Sequence, residues 1–242
     1  MKRFFTALGF LTTIPSPYHD PSGIEELGKA AVWFPLVGAL IGELVALIYL
    51  GLSRFFPITV SAVVSVAAWV YLTGGLHLDG LADSLDGLLN SSSPERRLEI
   101  MKDPRLGAFG ALGLILVIIF KISILTALPV YFTLVAIPLA ASTARGLLLW
   151  GARQPMARPG GLGAAFRPEL GWMGWMISAV VPLGLAVLCG WRGLAALIIG
   201  CVCAAAIIRL ARIRLGGLTG DVFGLIVESV EAVILLAFVA HI

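Results

Sequence analysis

The sequence predicts an all-α, polytopic transmembrane helix bundle of about seven spans, supplemented by short cytoplasmic amphipathic or re-entrant helices. Three observations carry that reading. Hydrophobic residues make up 59% of the 242-residue chain and charged residues only 13%, where a soluble domain carries under half and about a quarter. Mean hydropathy is +1.00. The apolar stretches run from one end of the chain to the other with no soluble block between them, so residues 1–242 read as one integral membrane domain.

A spanning helix needs about 20 mostly apolar residues at about 1.5 Å per residue. Seven stretches qualify: residues 32–52, 59–76, 108–128, 131–150, 172–190, 193–213 and 221–241. Residues 4–14 are too short to span and suit the membrane interface. The start Met1-Lys2-Arg3-Phe4-Phe5 resembles a signal peptide. Its apolar run breaks at Pro15 and Pro17 and no small-residue cleavage site follows, so it is expected to be retained. Trp33, Trp69, Trp150, Trp172, Trp175 and Trp191 fall mostly near span ends, where indole rings prefer to sit. Cys189, Cys201 and Cys203 lie in apolar stretches with no CxxC pair and no neighbouring histidine, and read as buried small apolar residues.

Net charge is +3. That is too weak a basic balance to suggest nucleic acid, and the basic residues sit between spans in the pattern that sets membrane orientation. With a cytoplasmic N-terminus, fourteen Lys and Arg residues face the cytoplasm and three, Arg54, Lys121 and Arg192, face the other side. The bacterial inner membrane is the expected location, with the polar segments 77–107, 151–171 and 214–221 together on the cytoplasmic face. Ser93-Pro94 reads as a helix start, with Ser93 as N-cap, and that helix should stop before Asp103-Pro104. Segment 151–171, rich in glycine and proline, reads as a mobile loop.

The chemistry concentrates in His77-Leu-Asp79-Gly-Leu-Ala-Asp83-Ser-Leu-Asp86-Gly87. At helical spacing Asp79, Asp83 and Asp86 fall within roughly 60° of one another. Three like charges on one face, beside a span, favour a divalent cation, and Mg²⁺ suits a few carboxylates together with water and substrate phosphates. The bland alternative is a solvated acidic helix face. A second acidic set, Asp221, Glu228 and Glu231, follows the turn Gly216-Gly217-Leu218-Thr219-Gly220. Asp221 stands at the same boundary as Asp79 and is the better metal candidate. The two glutamates fall inside a span, where they need either basic partners or a wet cavity. Glu43 is a further intramembrane acid with no evident partner. Lys102 and Arg105 suit phosphate, with plain membrane anchoring as the alternative, and Arg145 lies inside its span near the cytoplasmic end, where a simple anchor would sit further out. Arg158, in the glycine loop, is placed to close over a ligand. His77 suits either a general base or a structural hydrogen bond.

On these residues the chain resembles the cobalamin-5'-phosphate synthase, or adenosylcobinamide-GDP ribazoletransferase, family. The resemblance rests on Thr73-Gly-Gly-Leu-His77 running into the acidic motif, Phe10-Leu-Thr-Thr-Ile-Pro15, Phe34-Pro-Leu-Val-Gly38, Glu99-Ile-Met-Lys102-Asp103-Pro-Arg105-Leu-Gly107 and Gly216-Gly-Leu-Thr-Gly220-Asp221. It implies transfer of α-ribazole, or its 5'-phosphate, to adenosylcobinamide-GDP with release of GMP, and Mg²⁺ as cofactor. Metal would be held by Asp79, Asp83, Asp86 and Asp221. One of the aspartates or His77 would take the proton, and Lys102, Arg105, Arg145 and Arg158 would hold substrate. The implied partners are the corrinoid and ribazole substrates and the lipid bilayer, with room for a homo-oligomer.

Two other readings compete. A CDP-alcohol phosphotransferase motif opens like Asp79-Gly-Leu-Ala82, but Asp83 stands where an arginine is required and the later aspartates are missing. A prenyltransferase of the aspartate-rich helical type matches less. An ion-coupled transporter would use Glu43, Glu228 and Glu231, but no inverted repeat is visible.

Overall fold

The computed structural model describes residues 1–16, 24–158 and 171–240. Among them the chain is helical, its one β feature an isolated parallel bridge between Met156 and Leu218. The helices are α1 (Lys2–Leu11), α2 (Ile24–Ala30), α3 (Phe34–Leu52), α4 (Ile58–Thr73), α5 (Leu76–Leu89), α6 (Pro94–Ile100), α7 (Ala108–Ala127), α8 (Thr133–Gly151), α9 (Trp172–Leu188), α10 (Gly190–Leu215) and α11 (Gly220–Val239).

All seven predicted apolar stretches are helical, but they do not all make spans. Among the described residues five runs are long and apolar enough to cross a membrane: Leu27–Leu52, Ala108–Ala127, Val130–Gly151, Gly190–Leu215 and Gly220–Val239. Helix α4 passes only together with α5, and the two are bent by 91°, so the pair adds a sixth span if it counts as one. Helix α9 is apolar but has only 17 residues. The α4–α5 break has a local cause. Gly74 and Gly75 both take left-handed φ, 62° and 69°, a conformation that costs glycine little and other residues more. Gly75 N–H donates to the Val70 carbonyl at 3.0 Å, closing α4. The stretch read as one helix to residue 76 therefore turns a corner just before the acidic motif. Helix α6 follows the expected grammar: Ser93 accepts from Arg96 N–H, Pro94 is its first residue, and it ends at Ile100 ahead of Asp103-Pro104.

Helices α8 and α11 are buried along most of their length, whereas α7 and α10 leave most of theirs on the outside of the bundle. Gly38 and Gly42 of α3 sit against the α8 backbone at Ala141 and Pro138, a small-residue seam of the kind that packs membrane helices closely.

The centre of the bundle holds four charges. Lys121 of α7 donates to Glu228 and Glu231 of α11, each at 2.6 Å. Arg145 of α8 donates to Glu231 at 2.5 Å and to the Ala141 carbonyl at 3.0 Å. All four residues are buried, and their formal charges cancel. Lys121 is thus an interior residue, not a far-side surface charge. Trp69, expected near a span end, is buried with its ring 4.7 Å from the Lys121 ammonium, a cation–π contact.

Helices α5 and α11 cross at two glycines. A Cβ on Gly80 would stand 2.7 Å from the Asp221 carbonyl oxygen, and one on Gly224 would stand 2.9 Å from the Gly80 Cα. Only hydrogen at both positions allows this approach, and the approach brings Asp79 beside Asp221. Gly224→Ile should force the helices apart and cost about 1–3 kcal/mol, read as a lower melting temperature of the purified protein in detergent. An unchanged melting temperature would contradict this packing.

Candidate active site

The acidic motif is one helix, as its spacing predicts, but its three aspartates have different surroundings. Asp79 is exposed, Asp83 is half-buried and Asp86 is buried. Asp86 accepts from Gly107 N–H at 2.9 Å through one carboxylate oxygen and from Gly110 N–H at 2.9 Å through the other. Those amides open α7, whose first N–H groups have no partner within the helix. The carboxylate caps α7, favourable near the positive end of the helix dipole. A Cβ on Gly107 or Gly110 would collide with that carboxylate. The expected metal and catalytic role of Asp86 therefore meets a competing use: both of its oxygens are already engaged.

Asp221 reaches the site from the other end of the chain. Thr219 caps α11 through Val222 N–H, and Asp221 follows in the first turn. The Asp83 carboxylate lies within electrostatic reach of Asp79, Asp221 and Asp86, with Arg158 as the opposing charge. The Arg158 guanidinium stands 3.7 Å from Asp221 and donates to the Leu98 carbonyl. It is held there by a clamp rather than a mobile loop. Ala157 N–H donates to the Leu218 carbonyl at 2.8 Å, and Leu218 N–H to the Pro155 carbonyl at 2.9 Å. Residues 159–170 of the expected loop lie outside the described residues, as do His19, Arg167 and His241.

The other basic candidates separate. Lys102 is exposed. Arg105 is 86% exposed and forks onto Asp103 at 2.9 Å and 2.6 Å, and it holds the Asp103 carboxyl well below the usual carboxylate range. Arg145 departs from the expected phosphate role: its guanidinium is sealed in the bundle core against Glu231. Of the two uses open to Glu228 and Glu231, pairing with basic residues is the one observed.

His77 is 4% exposed, and its Nδ1 has no hydrogen-bond partner. It lines a cavity of about 210 Å³ together with Phe10, Phe34, Phe223, Asp79 and Asp221. Phe10 and Phe34 stack with centroids 5.8 Å apart. Sequence reasoning missed this aromatic wall. Its rings come from three distant parts of the chain, and no local spacing marks them as neighbours.

Among the described residues no three His, Cys, Asp or Glu side chains close to metal-ligand spacing. The donor chemistry nevertheless fits a hard divalent cation. Asp79, Asp83 and Asp221 supply carboxylate oxygens on facing helices, and among the described residues Arg158 is the basic group against them. Asp86, each of whose oxygens already accepts an amide, has less free acceptor capacity than the other three expected aspartates.

Asp79, Asp83 and Asp221 thus gather at one end of an apolar bundle, and comparison with known proteins places the chain in a family. The family model for cobalamin-5-phosphate synthase matches residues 3–239. The chain is 36% identical over 249 residues to an adenosylcobinamide-GDP ribazoletransferase of Escherichia coli, covering 98% of both chains. It is 37% identical over 242 residues to a protein of that name from Pseudomonas savastanoi pv. phaseolicola, again covering 98% of both. To one from Acetivibrio thermocellus it is 34% identical over 244 residues, covering 98% of this chain and 97% of the relative. No solved structure matches it. From residue 3 to the last turn of α11, the chain belongs to the cobalamin-5-phosphate synthase family.

Proposed function

We propose that this chain transfers α-ribazole, or its 5'-phosphate, onto adenosylcobinamide-GDP and releases GMP. The observation that carries the reading is the meeting of Asp79, Asp83 and Asp221 across the α5–α11 crossing, with Arg158 beside them, in a chain whose relatives bear the ribazoletransferase name. A diphosphate and a sugar hydroxyl are what such a pocket suits. Carboxylates accept a proton or hold a cation, and the arginine holds a phosphate oxygen.

The reaction forms one bond and breaks one. The ribazole 3'-hydroxyl oxygen bonds to the phosphorus that carries cobinamide, and the bond from that phosphorus to the bridging oxygen of GMP breaks. Asp83 is half-buried among like charges, and it takes the hydroxyl proton. Arg158 offers its guanidinium to the diphosphate as charge gathers on the departing GMP. A divalent cation, in this reading Mg²⁺, would be held by Asp79, Asp83 and Asp221 and would neutralise the diphosphate. Asp86 acts at one remove: by capping α7 it fixes the register of the helix that bears Asp79 and Asp83.

The competing transporter reading loses its main support, because Glu228 and Glu231 are neutralised by Lys121 and Arg145. The site is proposed to face the cytoplasm of a bacterial inner membrane. Lys102, Arg153, Arg209 and Arg212 gather at the site end of the bundle, and Arg54 and Arg192 at the other. Single-cysteine labelling at position 103 from the cytoplasmic side only, and at position 55 from the outer side only, is the expected pattern. The reverse would overturn the orientation.

The purified wild type, given adenosylcobinamide-GDP, α-ribazole and Mg²⁺, should release GMP, stop on chelation and resume when Mg²⁺ is restored. Asp83→Asn should lower turnover at least about 100-fold while the protein inserts and melts like wild type. No GMP from the wild type would sink the activity. Wild-type turnover in Asp83→Asn would remove Asp83 from the chemistry.

A further inference from the structure

We infer that the cavity between α1, α3, α5, α8 and α11 seats the planar base of the ribazole, stacked on Phe10 and Phe34, with His77 as its single polar contact. The inference rests on the ribazoletransferase reading and adds which substrate part this cavity selects.

The cavity is graded. Its inner end is apolar, with Phe34 fully buried and His77 nearly so. Asp79 is exposed and the Asp221 side chain is 27% exposed, so the acids stand at its solvent end. Phe10 and Phe34 lie nearly parallel, 13° between planes, and Phe223, Leu76 and Leu148 complete the apolar lining.

Four ring systems enter the reaction, the corrin, the adenine of its adenosyl group, guanine and the ribazole base, and they differ in polarity and size. The corrin macrocycle, fringed with amides, is far too large for about 210 Å³, a volume below the usual range for drug-sized ligands. Guanine and adenine carry donors and acceptors around their edges, and apolar walls would leave most of them unpaired, which is strongly unfavourable. The benzimidazole base of ribazole is a compact bicycle with apolar edges and one free acceptor nitrogen. It needs aromatic faces for stacking and one donor, and the cavity offers both. His77 is a buried polar side chain whose Nδ1 has no partner in the protein. An unsatisfied buried group of this kind is uncommon, and a hydrogen bond to the base nitrogen would satisfy the ring. With the base inside, the ribose emerges toward Asp79 and Asp221, where its hydroxyl has to be.

Steady-state kinetics of GMP release tests this. Phe10 is on α1 and only partly buried, so its replacement should leave the bundle folded. Phe10→Ala should raise KM for α-ribazole at least tenfold and leave KM for adenosylcobinamide-GDP within twofold, and Phe10→Tyr, which keeps the ring, should restore the wild-type value. The corresponding indole riboside has C–H in place of the free nitrogen. It should be at least tenfold poorer in kcat/KM for wild type, and His77→Leu should use the two ribosides equally. If Phe10→Ala instead moves the corrinoid KM, or moves neither, the assignment fails. Discrimination against the indole riboside that survives in His77→Leu also overturns it. Should His77→Leu prove inactive, calorimetric binding of the two ribosides to that variant gives the same comparison. These outcomes all presuppose a wild type that releases GMP, and its silence would sink the underlying activity instead.

Discussion

Lys121, Arg145, Glu228 and Glu231 meet inside an otherwise apolar bundle, one from α7, one from α8 and two from α11. Placing a charge at membrane depth is expensive. Placing four there is tolerable only if each finds its partner, because a single unmatched ion would be left without solvent or counter-charge. That condition is restrictive. Helix α11 must turn so that both glutamates face inward, α7 must present Lys121 between them, and α8 must set Arg145 against Glu231. Once those three rotations and depths are set, so is the height of the α11 N-terminus, where Asp221 begins the site about 15 Å along the axis from Glu231, at about 1.5 Å per residue. The network is close enough for its charges to act on His77, so core and site are physically continuous.

Helix α5 is fixed from the other direction. Two left-handed glycines turn the chain through 91° after α4. Gly80 and Gly224 then allow α5 to lie directly on α11, and Asp86 fastens its far end to the first amides of α7. The acidic helix is thereby held at both ends by contacts outside its own chemistry. The motif does two jobs that look alike in sequence. Its first two aspartates lie side by side within electrostatic reach of Asp221, and the third is spent on holding the helix in place.

Much of this was legible before any coordinates. Hydropathy located every long helix, since apolar length is what a bilayer demands. The Ser93-Pro94 start was readable because capping is local chemistry. The placing of Asp79 near Asp221 followed from topology alone. What escaped was long-range or carried by glycine. Lys121 looked like a far-side charge because its partners lie 107 and 110 residues away. Arg145 looked like a phosphate ligand for the same reason. The break at Gly74-Gly75 was hidden in an unbroken apolar run, because hydropathy carries no information about φ. Asp86 was indistinguishable by spacing from its neighbours, and only the amides of Gly107 and Gly110 separate it from them. The aromatic cavity draws on residues 10, 34 and 223, which no periodicity connects.

The claim that the buried network is architecture rather than machinery is tested most directly by one measurement, the melting temperature and GMP release of Glu231→Gln with and without Arg145→Met. Glu231→Gln leaves Arg145 buried without its carboxylate, and should cost about 3–5 kcal/mol of stability with turnover falling in parallel. Adding Arg145→Met removes the stranded charge and should recover part of both. Turnover lost at an unchanged melting temperature, or a double variant that regains stability but no activity, would contradict the account and return Arg145 or Glu231 to the chemistry.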